Sequence, residues 1–161
     1  MNTELVVLRI AHILAGVFWA GAAVYLALVL EPKLRQAGDE VERIVLEQVS
    51  KLNSLWITLS AVITIGAGFV LITRTPGRDF GQLLTNGWGT AIGIGLIASL
   101  AAFFLSGWVG ANTAKLRRAL GNDGVTAEEI AAIRSRIALG SRVNAALVII
   151  AVGTMAAARY V

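Results

Sequence analysis

The sequence predicts an all-α fold, a polytopic integral membrane four-helix bundle with helical extensions beyond the membrane on one side. Hydrophobic residues fill 57% of the 161 positions and charged residues only 15%, far from the balance of a soluble domain. Apolar runs recur along the chain at lengths near the roughly 20 residues that cross a hydrocarbon core. Lysine and arginine gather in two of the connections between those runs. A single domain over 1–161 follows, with four spans at about 5–30, 55–73, 88–108 and 143–158.

The first run, Leu5 to Leu30, contains the only histidine of the chain, His12. At 3.6 residues per turn, Arg9, His12, Gly16, Trp19 and Ala23 fall on one helical stripe. An ionisable residue inside a span is expensive to bury and is a functional candidate for that reason. Gly16 removes a side chain one turn from the imidazole, which lets a flat ring system or another backbone approach closely. Trp19 falls near mid-span, whereas membrane tryptophans favour the interfacial belts. The plainer alternative for this stripe is a packing face with one hydrogen-bonded histidine. The N-terminal residues include Glu4 and no early lysine or arginine, so the first helix is expected to be retained rather than cleaved as a signal peptide.

Glu31-Pro32-Lys33 closes that run, and Val41, Ile44, Val45, Val49 and Leu52 then recur at helical spacing. Asp39 with Glu42 resembles a capping box, so a helix is predicted to start there and enter the membrane as the second span. The neighbouring Asp39, Glu40, Glu42 and Glu47 read as a solvated face, with Glu47 and Lys51 spaced for an ion pair. Arg74-Thr75-Pro76-Gly77 signals a turn before a short interfacial loop. Trp88 and Trp108 bracket the third span about 30 Å apart, like belt anchors, as does Trp56. Gly89 and Gly93 form a GxxxG, which predicts close packing of the third span on its neighbours. Thr126 with Glu129 is a second capping box, opening the helix that becomes the fourth span.

Composition narrows the chemistry. With no cysteine, disulfides, thiolate metal sites and cysteine-bound iron–sulfur clusters are excluded. The net charge of +4 sits beside membrane spans, so the lipid bilayer explains it and no nucleic-acid partner is expected. Lys33, Arg35, Arg43, Lys51, Lys115, Arg117, Arg118, Arg134, Arg136 and Arg142 flank one side, against Arg9, Arg74, Arg78 and Arg159 on the other. That asymmetry predicts the inner (plasma) membrane with both termini outside. Asp39, Asp79 and Asp123 all lie in predicted loops, so no Ser-His-Asp triad can form around His12.

The segment RIAHILAGVFWAGAAVYLALVLEPKL resembles the first helix of small four-helix membrane proteins that include the HemJ-type protoporphyrinogen oxidases and the membrane domain of CopD copper-resistance proteins. His12, Trp19, Gly21, Tyr25 and Leu26 are the matching positions. The resemblance implies a helical bundle and, on the HemJ-like side, a redox-related protein with haem b bound through His12. HemJ-type enzymes enter their third helix with a histidine and a lysine; this chain has Gly87-Trp88-Gly89-Thr90 there, without the groups that oxidase activity would need. On the CopD-like side, copper transport calls for several His, Met or Cys ligands, and the chain offers His12 and Met155.

The leading expectation is therefore a membrane-embedded haem b protein. His12 and Met155 lie at similar predicted depth as metal ligands, with Arg9 and Arg159 toward the rim to meet propionates and Gly16 and Trp19 lining the site. The alternative is a cofactor-free structural or accessory membrane subunit, in a homo-oligomer or a larger complex, where His12 would bond a neighbour such as Thr90 or Asn144. A channel or transporter would need more intramembrane polar residues or broken helices than this sequence carries.

Overall fold

In the computed structural model, which describes residues 3–161, the chain forms helices α1 Thr3–Tyr25, α2 Glu31–Ala37, α3 Asp39–Arg74, α4 Gly87–Leu120 and α5 Ala127–Ala157. Leu26–Leu30 is a π-helical turn that joins α1 to α2. No strand occurs among the described residues. Counting α1 through α2 as one, four helices are long and apolar enough to cross a membrane.

The helices close into an antiparallel ring in the order α1, α3, α4, α5. The α4–α5 and α1–α3 contacts are the most extensive, and the α3–α4 and α1–α5 seams are thinner. Glu4 lies 3.7 Å from Arg74, and a Cβ placed on Gly87 would meet Val161 at 3.1 Å. Both termini and the α3–α4 connection therefore share one end, here the termini end. Glycine-ended α2 and the turn between α4 and α5 form the opposite, charged end.

The burial pattern is the one expected of helices long and apolar enough to cross a membrane. The core is rich in small residues: Ala23, Ala61 and Ala102 cluster with Trp19 and Val148, and Ala98, Ala145 and Ala151 are buried as well. Large side chains such as Ile13, Leu14, Val17, Phe18, Phe104 and Ile149 point outward. Water would not stabilise so much exposed apolar surface, whereas lipid tails would leave helix association to close packing of small residues.

The π-turn has a local cause. Pro32 has no N–H, and its ring would clash with the carbonyl of Leu28 in a continuous α-helix. Widening the preceding turn, in which the Glu31 N–H reaches back to the Leu26 carbonyl, avoids that clash. The helix thus passes through Glu31-Pro32 and carries Glu31 and Arg35 over the charged end.

Two sequence expectations about local structure need correction. The Thr126–Glu129 capping box forms on both sides, but α3 starts without a side-chain cap: its N-cap is Gly38, at φ 94°. Asp39 and Glu42 are instead drawn to Arg134 across the bundle. The Gly89–Gly93 motif meets the α3–α4 connection rather than a neighbouring helix. A Cβ on Gly89 would lie 1.7 Å from the Gln82 carbonyl oxygen, and one on Gly93 would lie 2.9 Å from Leu84. Asn86 caps α4 by accepting from the Gly89 N–H at 2.8 Å, and Arg78 stacks 4.2 Å over Trp88, so this connection is folded onto the first turns of α4. The close helix–helix approaches are elsewhere: Gly95 under Met155, and Gly140 under Trp108.

Gly89→Ala should therefore destabilise the protein in detergent by about 1–3 kcal/mol through overpacking against the Gln82 backbone. Gly107→Ala, where a Cβ meets nothing within 4 Å, should stay within about 0.5 kcal/mol of the parent. Equal thermal midpoints for the two variants would mean that the connection does not pack on α4.

Candidate functional site

Two places in the bundle carry polar side chains with something to explain. The first is His12. The predicted stripe does face inward: Trp19 and Ala23 are buried, and a Cβ on Gly16 would meet Thr64 of α3 at 3.3 Å. The His12 ring also lies on α3, where a Cβ on Gly68 would stand 3.1 Å from Cε1. Glycine on both helices brings α1 and α3 close enough for His12 Nδ1 to reach the Thr64 carbonyl oxygen at 2.7 Å. A carbonyl can only accept, so Nδ1 carries the proton, and in the neutral ring Nε2 keeps its lone pair. Under the accessory reading a bond to Thr90 or Asn144 was expected; the partner is a backbone oxygen of α3. Thr64 itself bonds back to the Ser60 carbonyl at 2.7 Å, which turns its own hydroxyl away from the ring.

Met155 is engaged differently. It packs over Gly95 of α4, where a Cβ would meet its Cγ at 2.8 Å. His12 is nine residues into α1 and Gly95 eight residues into α4, so the expected similarity of depth agrees with the register. The side chains, however, turn to different helices, His12 to α3 and Met155 to α4. Arg9 and Arg159 are exposed near the termini end, and Gly16 is occupied by the approach of Thr64. A single histidine ligand with its tautomer fixed by a carbonyl is a familiar way to orient a metal-bound imidazole. His12 and Met155 each engage a neighbour of their own rather than one another. Among the described residues there is no group of three or more His, Asp or Glu that could hold a metal ion.

The second place is a cavity of about 690 Å³ in the half toward the charged end. Its floor is apolar, formed by Trp19, Ala23, Ile57, Ala61 and Phe103. Its long walls are α3 and α4, where Asn53, Ser54 and Thr58 stand opposite Ser106, Gly107 and Gly110. Added Cβ atoms at Gly107 and Gly110 would meet nothing within 4 Å, so these glycines border open space rather than a helix contact. Ser106 donates to Asn144 at 3.3 Å, and Ser141 donates to Glu31 at 2.5 Å, which places a layer of polar groups from α4, α5 and α2 along one side. The indole N–H of Trp19 is the only fully buried side-chain polar atom among the described residues that lacks a partner.

The charged end of the cavity is bordered by an ion-pair network. Glu42, 4% exposed, is paired with Arg134 of α5, which also holds Asp39 at 2.7 Å. Arg35 of α2 donates to the Arg134 backbone carbonyl at 2.5 Å. Burial works against the charge on Arg134, but its hydrogen bonds to Asp39 and Glu42 outweigh that and raise its pKa above the ordinary arginine value. The expectation of a solvated acidic face thus fails at Glu42. It holds at Glu40 and Glu47, which pair with Arg43 at 2.9 Å each, the role expected of Lys51 for Glu47. Sequence reasoning missed this cavity. The available signal was Pro32 next to Glu31: a proline that does not end an apolar helix bends it, and the adjacent carboxylate is carried inward.

Comparison with protein-family models, curated proteins and solved structures finds no match to the chain.

Arg134→Met should cost about 3 kcal/mol or more, because it leaves the Glu42 carboxylate buried and unpaired. Adding Glu42→Leu should recover most of that loss. A double variant as unstable as the single one, by unfolding in detergent, would show that the pair is not what holds this end together.

Proposed function

We propose that this chain is an integral membrane protein that holds a small amphipathic molecule in the cavity between its helices. The supporting observation is the cavity itself. Its volume falls in the range typical of small-molecule sites, its floor is apolar, and a limited set of polar groups gathers on one side. The cavity opens sideways between α3 and α4, where Thr58, Phe104, Gly107 and Gly110 are exposed, so an amphipathic molecule can reach it. Native mass spectrometry of the protein released from mild detergent should reveal a retained non-covalent mass. Gly110→Leu, which adds bulk at the α4 wall where a Cβ meets nothing within 4 Å, should abolish it. No retained mass in the parent protein, or one that Gly110→Leu leaves in place, would favour the cofactor-free accessory subunit.

The proposal includes an orientation. Ten of the fourteen basic residues, those from Lys33 to Lys51 and from Lys115 to Arg142, belong to the charged end, so that end is assigned to the cytoplasm and both termini to the outside of the plasma membrane. A cysteine at Arg78 should react with an impermeant reagent added to intact cells, and one at Asn122 should not. Labelling at Asn122 alone would invert the topology.

A second reading is haem b held by His12, favoured by the hydrogen bond that fixes Nδ1 on Thr64 and leaves Nε2 unengaged. Bound haem would supply one-electron redox chemistry, and the role of the chain would be to orient the imidazole through the α3 backbone. A Soret band in the purified protein that His12→Ala removes is the expected result under this reading. A colourless protein after haem reconstitution would leave His12 as the interhelical clamp between α1 and α3.

A further inference from the structure

We infer that the occupant of the cavity is a single-chain anionic amphiphile, with its head group between Lys51 and Arg117 and its alkyl chain running down to the ring of Trp19. This rests on the binding-cavity reading and names the ligand class. The argument is one of charge complementarity. Five charged side chains border the cavity, and three are accounted for: Glu42 pairs with Arg134, Glu31 accepts from Ser141, and Arg35 has the Glu31 carboxylate near it as well as the Arg134 carbonyl as acceptor. Burial pushes the Glu31 carboxyl above the ordinary carboxylate range, and the Ser141 hydrogen bond with Arg35 and Arg142 offsets only part of that, so Glu31 is a weak counter-charge for the opposite wall. Lys51 on α3 and Arg117 on α4 remain. Lys51 makes no hydrogen bond or ion pair within the described residues, and the partner of Arg117 is the neutral Ser50 hydroxyl at 3.2 Å. Two cations that line one cleft and have no carboxylate partner are stabilised by an anion that both can reach.

The rest of the cavity suits the tail. From Lys51 to Ala61 the α3 wall descends ten residues, about 15 Å of helix. Over that distance the lining changes from polar to the apolar floor at Trp19, Ile57, Ala61 and Phe103. No charged side chain borders the floor, so a head group could not be stabilised there and the ligand has one orientation. Entry is sideways. The α3–α4 seam is one of the thinner contacts of the ring, and Thr58, Phe104, Gly107 and Gly110 on its two sides are exposed as well as lining the cavity. A chain already in a bilayer could slip between those helices with its head kept at the level of the basic residues.

The test uses the full-length protein in detergent with Trp56, Trp88 and Trp108 changed to Phe, so that emission reports Trp19. The probes are a long-chain carboxylate and an alkyl phosphate, each brominated at the chain end, and the uncharged alcohol of the same length. Both anions should quench Trp19 at concentrations about tenfold lower than the alcohol, and Lys51→Gln with Arg117→Gln should remove that advantage. Binding of the phosphate alone would assign a phospholipid-type head, and equal binding of both anions would include free fatty acids. Equal quenching by alcohol and anions, or an advantage that survives the double substitution, would overturn the anionic class while leaving the cavity as a binding site. Quenching by every probe that Gly110→Leu does not reduce would remove the cavity itself, a distinct failure. Circular dichroism and the thermal midpoint of each variant separate lost binding from lost folding.

Discussion

Glu42 can be buried at the charged end because Arg134 reaches it from α5, and much of the molecule follows from that pairing. In the ring order α1, α3, α4, α5, helices α3 and α5 are diagonal, so this ion pair spans the bundle instead of joining neighbours. An unpaired carboxylate in that position would be neutralised or would open the structure, and a pair made without further hydrogen bonds would only break even. Asp39 supplies a further bond to the Arg134 guanidinium, and Arg35 holds the Arg134 backbone. The consequence is spatial: helices held across a diagonal at one end need not converge between that end and their tightest packing, and the cavity occupies the interval.

The two halves of the bundle are accordingly built by different rules. Toward the termini end, glycines set the distances: Gly16 and Gly68 bring α1 onto α3, and Gly95 seats Met155. Toward the charged end, polar bonds join the helices as well, through Ser141 with Glu31, Ser106 with Asn144, and the Arg134 network, beside the close approach of Gly140 to Trp108. Trp19 lies between, its ring closing the cavity floor while its N–H is buried without a partner. Such an orphan typically costs about 1–3 kcal/mol, a strain that the surrounding alanine packing must offset.

The helix count, the capping box at Thr126, and the inward face of His12 to Ala23 were legible in the sequence because they depend on local periodicity and short spacings. His12 was legible as a residue needing a partner, but its partner was not, since any carbonyl at the right depth would serve and sequence spacing does not rank them. Glu42 was misread because its pattern is that of a solvated helix face, and only the register of α5 brings Arg134 within reach. The glycines divide in the same way. Gly89 and Gly93 carry the motif of a helix contact yet serve a loop, while Gly107 and Gly110, without such a motif, border the cavity. Which surface meets a given glycine is a tertiary fact.

The proposal that depends most on this arrangement is that a ligand occupies the space between α3 and α4. Electron cryo-microscopy of the protein in a nanodisc of native lipid addresses that directly. The expected result is elongated non-protein density from the level of Lys51 and Arg117 down to Trp19, with Arg134 still seated on Glu42. Helices α3 and α4 closed onto one another, with Gly107 and Gly110 in contact with α3 and no space between them, would contradict it.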